Sequence, residues 1–231
     1  MSNPIYSLSK IKMSKLDKNI ISINNFSIHR GTIYLFSGPH SSGKTALINL
    51  LENEINNYNG ELKYENKAFS SYSKSEYKKD IAVVHQVERC PWGTVGKYLK
   101  KTLKSYGHIR NIEKNFNSII SKMHLQPLLN IKMSKLTPGQ FRWVCIAAKI
   151  AVDSKVLFID EIEQHLDLKL VEILRKILYA KANYDGVTII ATTLNPNLFN
   201  KISSVSIVLD KGRIASLRSN VKHKKTKKTK K

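Results

Sequence analysis

Eight residues constrain this chain more than any others: Gly38-Pro39-His40-Ser41-Ser42-Gly43-Lys44-Thr45 satisfies G-x-x-x-x-G-K-[ST] at every fixed position. The pattern carries weight only where a buried strand enters it and a helix leaves it. Ile33-Tyr34-Leu35-Phe36 is a short apolar run of the kind a fully buried parallel strand shows, and Ala46-Leu47-Ile48-Asn49-Leu50-Leu51 continues with helical composition. Backbone N–H groups at a helix N-terminus, reinforced by the helix dipole, suit the wrapping of a di- or triphosphate. The glycines let the backbone come close. Lys44 would reach the β/γ-phosphates as a point charge, and the Thr45 hydroxyl would take one position on Mg²⁺.

The chain around this loop has 231 residues, 42% of them apolar, which suits one large domain or a domain with an inserted subdomain. No apolar run is long enough to cross a membrane, and Met1 to Ile20 lacks the apolar stretch of a secretion signal, so a cytoplasmic protein is expected. Cys90 and Cys145 match no metal-ligand or disulfide spacing and read as reduced thiols. The formal charge is +22, and Arg218 to Lys231 holds eight Lys/Arg and no acid; removing those eight leaves +14 on the body. Such a charge suits an anionic surface, phospholipid or nucleic acid, or simply a lysine-rich solvated exterior.

In chain order, Ile5–Met13 and Ile20–Ile28 read as short antiparallel strands with a turn around Asp17-Lys18-Asn19. Asn57-Tyr58-Asn59-Gly60 is a turn before Glu61-Leu62-Lys63-Tyr64, read as an edge strand. Ile81–Val84 is a second buried strand, ending at His85-Gln86. From about 88 to 135 the segments become polar and helical, clearest at Thr94–Ser105 and Asn111–Met123, and suggest an inserted helical subdomain. After Leu136-Thr137-Pro138-Gly139-Gln140, the residues Phe141, Val144, Cys145, Ala148 and Val152 mark one helix face. Val156–Ile159 is a third buried strand. It ends in Asp160-Glu161, at the carboxyl end where open α/β sheets bind ligands. A helix from about Leu168, a buried run Val187–Ala191 and a hairpin turning at Asp210-Lys211-Gly212 complete the domain.

Taken together, these residues resemble the nucleotide-binding subunit of the ATP-binding cassette (ABC) family from Ile5 to about Leu217, in both order and spacing: 24 positions separate Leu136 from Asp160, and 33 separate Asp160 from Thr193. The resemblance implies an α/β P-loop NTPase over residues 1–217, with a mostly parallel core sheet, an N-terminal antiparallel β subdomain and the helical insertion, followed by a basic tail over 218–231. It makes Gly38 to Thr45 the Walker A loop, Gln86 the glutamine that touches Mg²⁺ and the attacking water, Asp160 the metal-binding aspartate and Glu161 the carboxylate that polarises water. Mg²⁺ would then be held by Thr45, Gln86 and Asp160, and catalysis carried by Glu161, Gln86 and Thr193. Thr137, Gly139 and Gln140 belong to the signature loop, which in this family serves the nucleotide of a second subunit. Asp167, in Gln164-His165-Leu166-Asp167, matches the end of the D-loop, and it also suits a helix N-cap. Trp92 stands where family members receive a membrane partner, or else packs within the helical subdomain.

Three positions depart from the family pattern. The signature has Pro138, which removes a donor and fixes φ, and Trp143 stands where arginine is usual, with Arg142 one place earlier. Thr193 occupies the position of the switch histidine. It cannot carry positive charge, and one lost transition-state contact commonly costs about 3 kcal/mol, so hydrolysis is expected to be slow while ATP binding is retained. No aromatic residue stands ready to stack on adenine, since Met13 or its neighbours occupy that stretch and Tyr6 lies inside a strand.

The resemblance further implies a homo- or heterodimer with a second ABC subunit, and a separate transmembrane protein that holds the chain on the inner face of the cell membrane. Anionic lipid could take the basic tail. Leu35-Phe36-Ser37-Gly38-Pro39 is similar to the cell-division branch of the family. A nucleic-acid-associated ATPase is the disfavoured alternative, because such proteins usually carry two cassettes or a long coiled-coil insertion. A regulatory subunit that binds ATP without turnover is another.

Overall fold

The computed structural model describes residues 3–15 and 18–220. Its frame is a six-stranded sheet built from β3 (Ile33–Ser37), β6 (Ile81–Val84), β7 (Val156–Ile159), β8 (Thr188–Thr193), β9 (Val205–Asp210) and β10 (Arg213–Ser219). The spatial order is β10-β9-β3-β8-β7-β6, parallel throughout except for β10, which returns antiparallel on β9. A second sheet is antiparallel, in the order β2-β1-β4-β5, from β1 (Tyr6–Lys15), β2 (Lys18–Ile28), β4 (Asn59–Tyr64) and the two-residue β5 (Lys67–Ala68).

Alternation along the parallel strands produces two cores, because successive side chains leave on opposite faces. On one face Ile33, Leu35, Leu157, Ile159, Ile189 and Ala191 meet the helices α3 (Val95–Ser105), α4 (Ile112–Lys122), α5 (Pro138–Ile150) and α6 (Leu168–Asn183). On the other, Tyr34, Phe36, Val156, Phe158 and Ile190 meet the antiparallel sheet together with α1 (Lys44–Leu51) and α2 (Lys74–Asp80). Tyr6 belongs to this second core. It is fully buried, and its hydroxyl meets that of Tyr77, which in turn donates to the Leu51 carbonyl.

Helix starts follow side-chain caps. Thr94 accepts from the Lys97 amide, Asn111 Oδ1 from Lys114, and Asp167 Oδ1 from Leu170 at 2.8 Å, so Asp167 is indeed an N-cap. The exposed Glu172–Lys176 pair forms at 3.6 Å and contributes little.

Several sequence-based expectations change. Lys18 and Asn19 open β2 rather than turning, and Asp17 lies outside the described residues. Glu61–Tyr64 is not an edge, since β1 covers one side and β5 folds back on the other. The helix after the signature is not one-faced: α5 runs between the sheet and the other helices, so Arg142 through Ala148 are all buried, and Val152 falls beyond its end. Strand β10 continues to Ser219 and takes Arg218 from the expected tail; residues 221–231 are outside the description.

Candidate functional site

The loop between β3 and α1 needs left-handed backbone that a side chain would obstruct. Gly38 has φ 146° and Gly43 has φ 102°; a Cβ on the first would lie 2.1 Å from the Leu209 carbonyl oxygen, and on the second 2.8 Å from that of Ile20. Both glycines are therefore required by close backbone approach. Strand β2 and the β9–β10 turn brace the loop from outside: the Gly212 amide donates to Ser42 O at 2.9 Å, and the Ser22 amide donates to Gly212 O at 2.8 Å. The Asp210-Lys211-Gly212 turn, read from sequence only as a hairpin, is thus part of the support of the loop.

Lys44 is 6% exposed and donates to the carbonyls of Gly38 and Pro39, each at 2.8 Å. Burial holds its pKa below the usual lysine value, opposed by the carboxylates of Glu161, Asp160 and Glu163. His40, Ser41, Lys44 and Thr45 line one side of a cleft of about 470 Å³; Gln86, after β6, and Glu161, after β7, line the other. What joins the two sides is the parallel sheet, which delivers the ends of β3, β6 and β7 to one edge.

 Glu161 stands 75 positions after Gln86 and 116 after Thr45, and only the strand order brings the three together.

The two carboxylates after β7 are held differently. Asp160 is 2% exposed, and its Oδ1 accepts from the buried Thr192 hydroxyl, which also accepts from the Glu161 amide at 2.7 Å. Glu161 itself turns into left-handed backbone, φ 47°, and this aims its half-buried side chain at the cleft while Asp160 stays beneath. Arg142, buried in α5, donates to the carbonyls of His85, Asp160 and Glu161, and so ties the ends of β6 and β7 together from below. Sequence reading noted Arg142 only as displaced. Its role was legible as a charged residue in a helix whose neighbours are all apolar.

The switch position is occupied in an unexpected way. Thr193 has no exposed surface, and its hydroxyl donates to Glu163 Oε1 at 2.9 Å, so it is not among the residues that line the cleft. Thr192 and Glu163 were both missed from the sequence. The signal for the first was a hydroxyl inside an apolar buried strand, where a hydrogen-bond partner is obligatory.

Thr137, Gly139 and Gln140 lie away from this cleft, at the start of α5. Thr137 and Gln140 form a capping box, side chain to amide at 3.3 and 3.1 Å, and Pro138 sits at the first helical position, where no intrahelical amide bond is lost. Gly139 packs tightly under the D-loop, with a Cβ there lying 2.7 Å from His165 O. Met13 is buried in the second core and so cannot stack on adenine; Ile20 reaches the cleft instead.

A second groove lies beside the end of β6, where Glu52 is 4% exposed and stands 3.6 Å from His85. Burial first, then the neighbouring Glu54, raises its pKa to about 7. In the unfolded chain the group ionises near 4.5, so between these values the native state keeps a proton that the unfolded state releases. Stability therefore falls as pH rises through that window and stays lower above it. Glu52→Gln is expected to stabilise the fold at pH 8 by about 1–2 kcal/mol, discounted because the groove is open to solvent, with almost no effect at pH 4. Thermal melts at the two pH values check this; an equal effect at both would contradict it.

Comparison with known proteins agrees with this geometry. A family model described as ABC transporter matches residues 21–164. The tungstate uptake ATP-binding protein TupC of Peptoclostridium acidaminophilum is 23% identical over 208 residues, covering 90% of this chain and 95% of its own length. The petrobactin import ATP-binding protein YclP of Bacillus subtilis is 25% identical over 205 residues, covering 85% and 80%. The MdlA multidrug resistance-like protein of Buchnera aphidicola is 27% identical over 218 residues, and only 37% of its length is matched. Among solved structures, a dimeric ATP-binding cassette bound to ADP and phosphate superposes with a TM-score of 0.83 at 21% identity, covering 94% of this chain and all of the other. With the phosphate loop, the paired carboxylates and the signature helix in place on this fold, the chain belongs to the ABC transporter family, as an ATP-binding subunit.

Proposed function

We propose that the chain binds Mg·ATP in the cleft between Gly38–Thr45 and Glu161, hydrolyses it slowly, and couples closure around ATP to a separate membrane protein. The observation that carries the chemistry is the convergence of Lys44, Thr45, Gln86 and Glu161 on one cleft, with Asp160 buried behind Glu161. The donors fit a hard cation: Thr45, Gln86 and Asp160 offer only oxygen ligands and would hold Mg²⁺, which would neutralise charge on the transferred phosphoryl group. Lys44 neutralises phosphate charge, Glu161 orients and polarises the attacking water, and Gln86 helps place it. Thr137, Gly139 and Gln140, away from this cleft, would meet the nucleotide of a second ABC subunit.

Among the described residues no helix is long and apolar enough to cross a membrane. Membership of the ABC transporter family supports a separate protein as the membrane-spanning part of the assembly. Trp92 supports that assignment. It is fully exposed rather than packed in the helical subdomain, and Val87, 84% exposed, stands in the same segment after β6. An aromatic residue offered to solvent beside the segment that carries Gln86 suits the docking of a partner whose movement reaches the nucleotide. On this reading the chain sits on the inner face of the membrane, where anionic lipid would attract the basic tail.

Flotation of the full chain with native membranes tests the reading. The chain is expected to rise with the membranes, and Trp92→Ala to reduce the bound fraction at least about fivefold with ATP affinity unchanged. A chain that stays unbound with its native membranes present would contradict it.

A further inference from the structure

Glu163 is engaged more heavily than any other acid in the site. Its Oε1 accepts three hydrogen bonds, from the Thr193 hydroxyl at 2.9 Å and from the amides of Leu194 and Asn195 at 2.6 and 3.0 Å. The Asn195 amide also reaches Thr193 Oγ1 at 3.0 Å, which closes a small ring of bonds just beyond β8. The other oxygen, Oε2, is buried with no partner. Glu163 stands three positions after Asp160 and two after Glu161, on the same turn that follows β7.

An acceptor that gathers three donors fixes the backbone that carries them. Residues 193–195 therefore cannot rearrange without breaking all three bonds. Thr193, fully buried with its hydroxyl already donated, has no donor left to offer a phosphate. One residue earlier in β8, Thr192 holds Asp160 and the Glu161 amide. Position and chemistry thus place Glu163 in charge of the segment adjoining both carboxylates.

We propose that Glu163 is a positioning residue for hydrolysis: with Thr193 it forms a carboxylate–hydroxyl unit that sets the loop after β8, and with it the carboxylates that β8 anchors. It acts through these neighbours rather than on the reacting atoms.

The inference rests on the ATPase reading, and kinetics separate the two. Steady-state phosphate release and Mg·ATP affinity are measured on the full chain. Glu163→Gln is expected to lower kcat about tenfold while ATP affinity stays within about twofold of wild type, a split that simple loosening of the fold would not produce. Thr193→Val is expected to lower kcat similarly, and the double variant to lose no more than the worse single variant, because the two residues act as one unit. If Glu163→Gln does not fold, Thr193→Ser, which keeps the hydroxyl, must hold kcat within about twofold of wild type while Thr193→Val does not. A kcat for Glu163→Gln within twofold of wild type, additive losses in the double variant, or equal activity of the Ser and Val variants each overturns the proposal while leaving the ATPase reading standing. A wild-type chain without phosphate release overturns both.

Discussion

Lys44→Ala should weaken Mg·ATP binding at least about a hundredfold, the equivalent of roughly 3 kcal/mol, with little change in the melting temperature of the nucleotide-free chain. The ammonium is buried yet bonded only within its own loop, to the carbonyls of Gly38 and Pro39 and at 3.5 Å to the Ser42 hydroxyl, which hold it at the place where phosphate oxygens would meet it. Burial already disfavours its charged form, so an arriving phosphate gains a partner whose solvation has been largely surrendered in folding. Alanine removes that charge and exposes the two carbonyls to the incoming anion. Isothermal titration with Mg·ATP measures the change, and an affinity within threefold of wild type would show that the loop is not the phosphate site.

Glu161→Gln should reduce steady-state phosphate release by about a hundredfold or more while ATP still binds. Glu161 sits at φ 47°, a conformation set by its backbone and by the Thr192 hydroxyl bonded to its amide, and neither contact uses the carboxylate. Glutamine can keep that geometry, so what is lost is the negative charge that polarises water, not the shape of the cleft. Retained binding with lost turnover separates this from damage to the fold; unchanged melting behaviour would support the same conclusion.

Much of this was legible in the sequence because it is local. The phosphate loop declares itself in eight consecutive residues, the buried strands in four- or five-residue runs, and Asp160-Glu161 by its position at the end of one of them. The helical segments beginning at Thr94 and Asn111 were likewise visible, and so was Asp167 as a candidate N-cap. What escaped depends on contacts between distant segments. Glu163 meets Thr193 across 30 positions, Arg142 reaches His85 across 57, and Gly212 braces Ser42 from the far end of the chain. None of these pairings has a local signature. Each was accessible only as an anomaly, such as paired hydroxyls in a buried strand or a cation in an apolar helix, without a named partner.

The signature loop shows the converse. Thr137-Pro138-Gly139-Gln140 looked irregular as a motif because of Pro138, yet as a helix start it is regular, with the proline at the position that tolerates it and a reciprocal cap around it. The departure therefore costs the fold little. Any effect on nucleotide contact falls on the second subunit that this loop would face.

The central question is whether ATP bound in this cleft is cleaved by means of Glu161. The most direct measurement is single-turnover conversion of bound Mg·ATP to ADP by the full chain, wild type against Glu161→Gln, with the amount of bound nucleotide recorded in both. The account predicts conversion by the wild type, and in the variant equal occupancy with conversion slower by about a hundredfold or more. Equal conversion rates in the two proteins would contradict it.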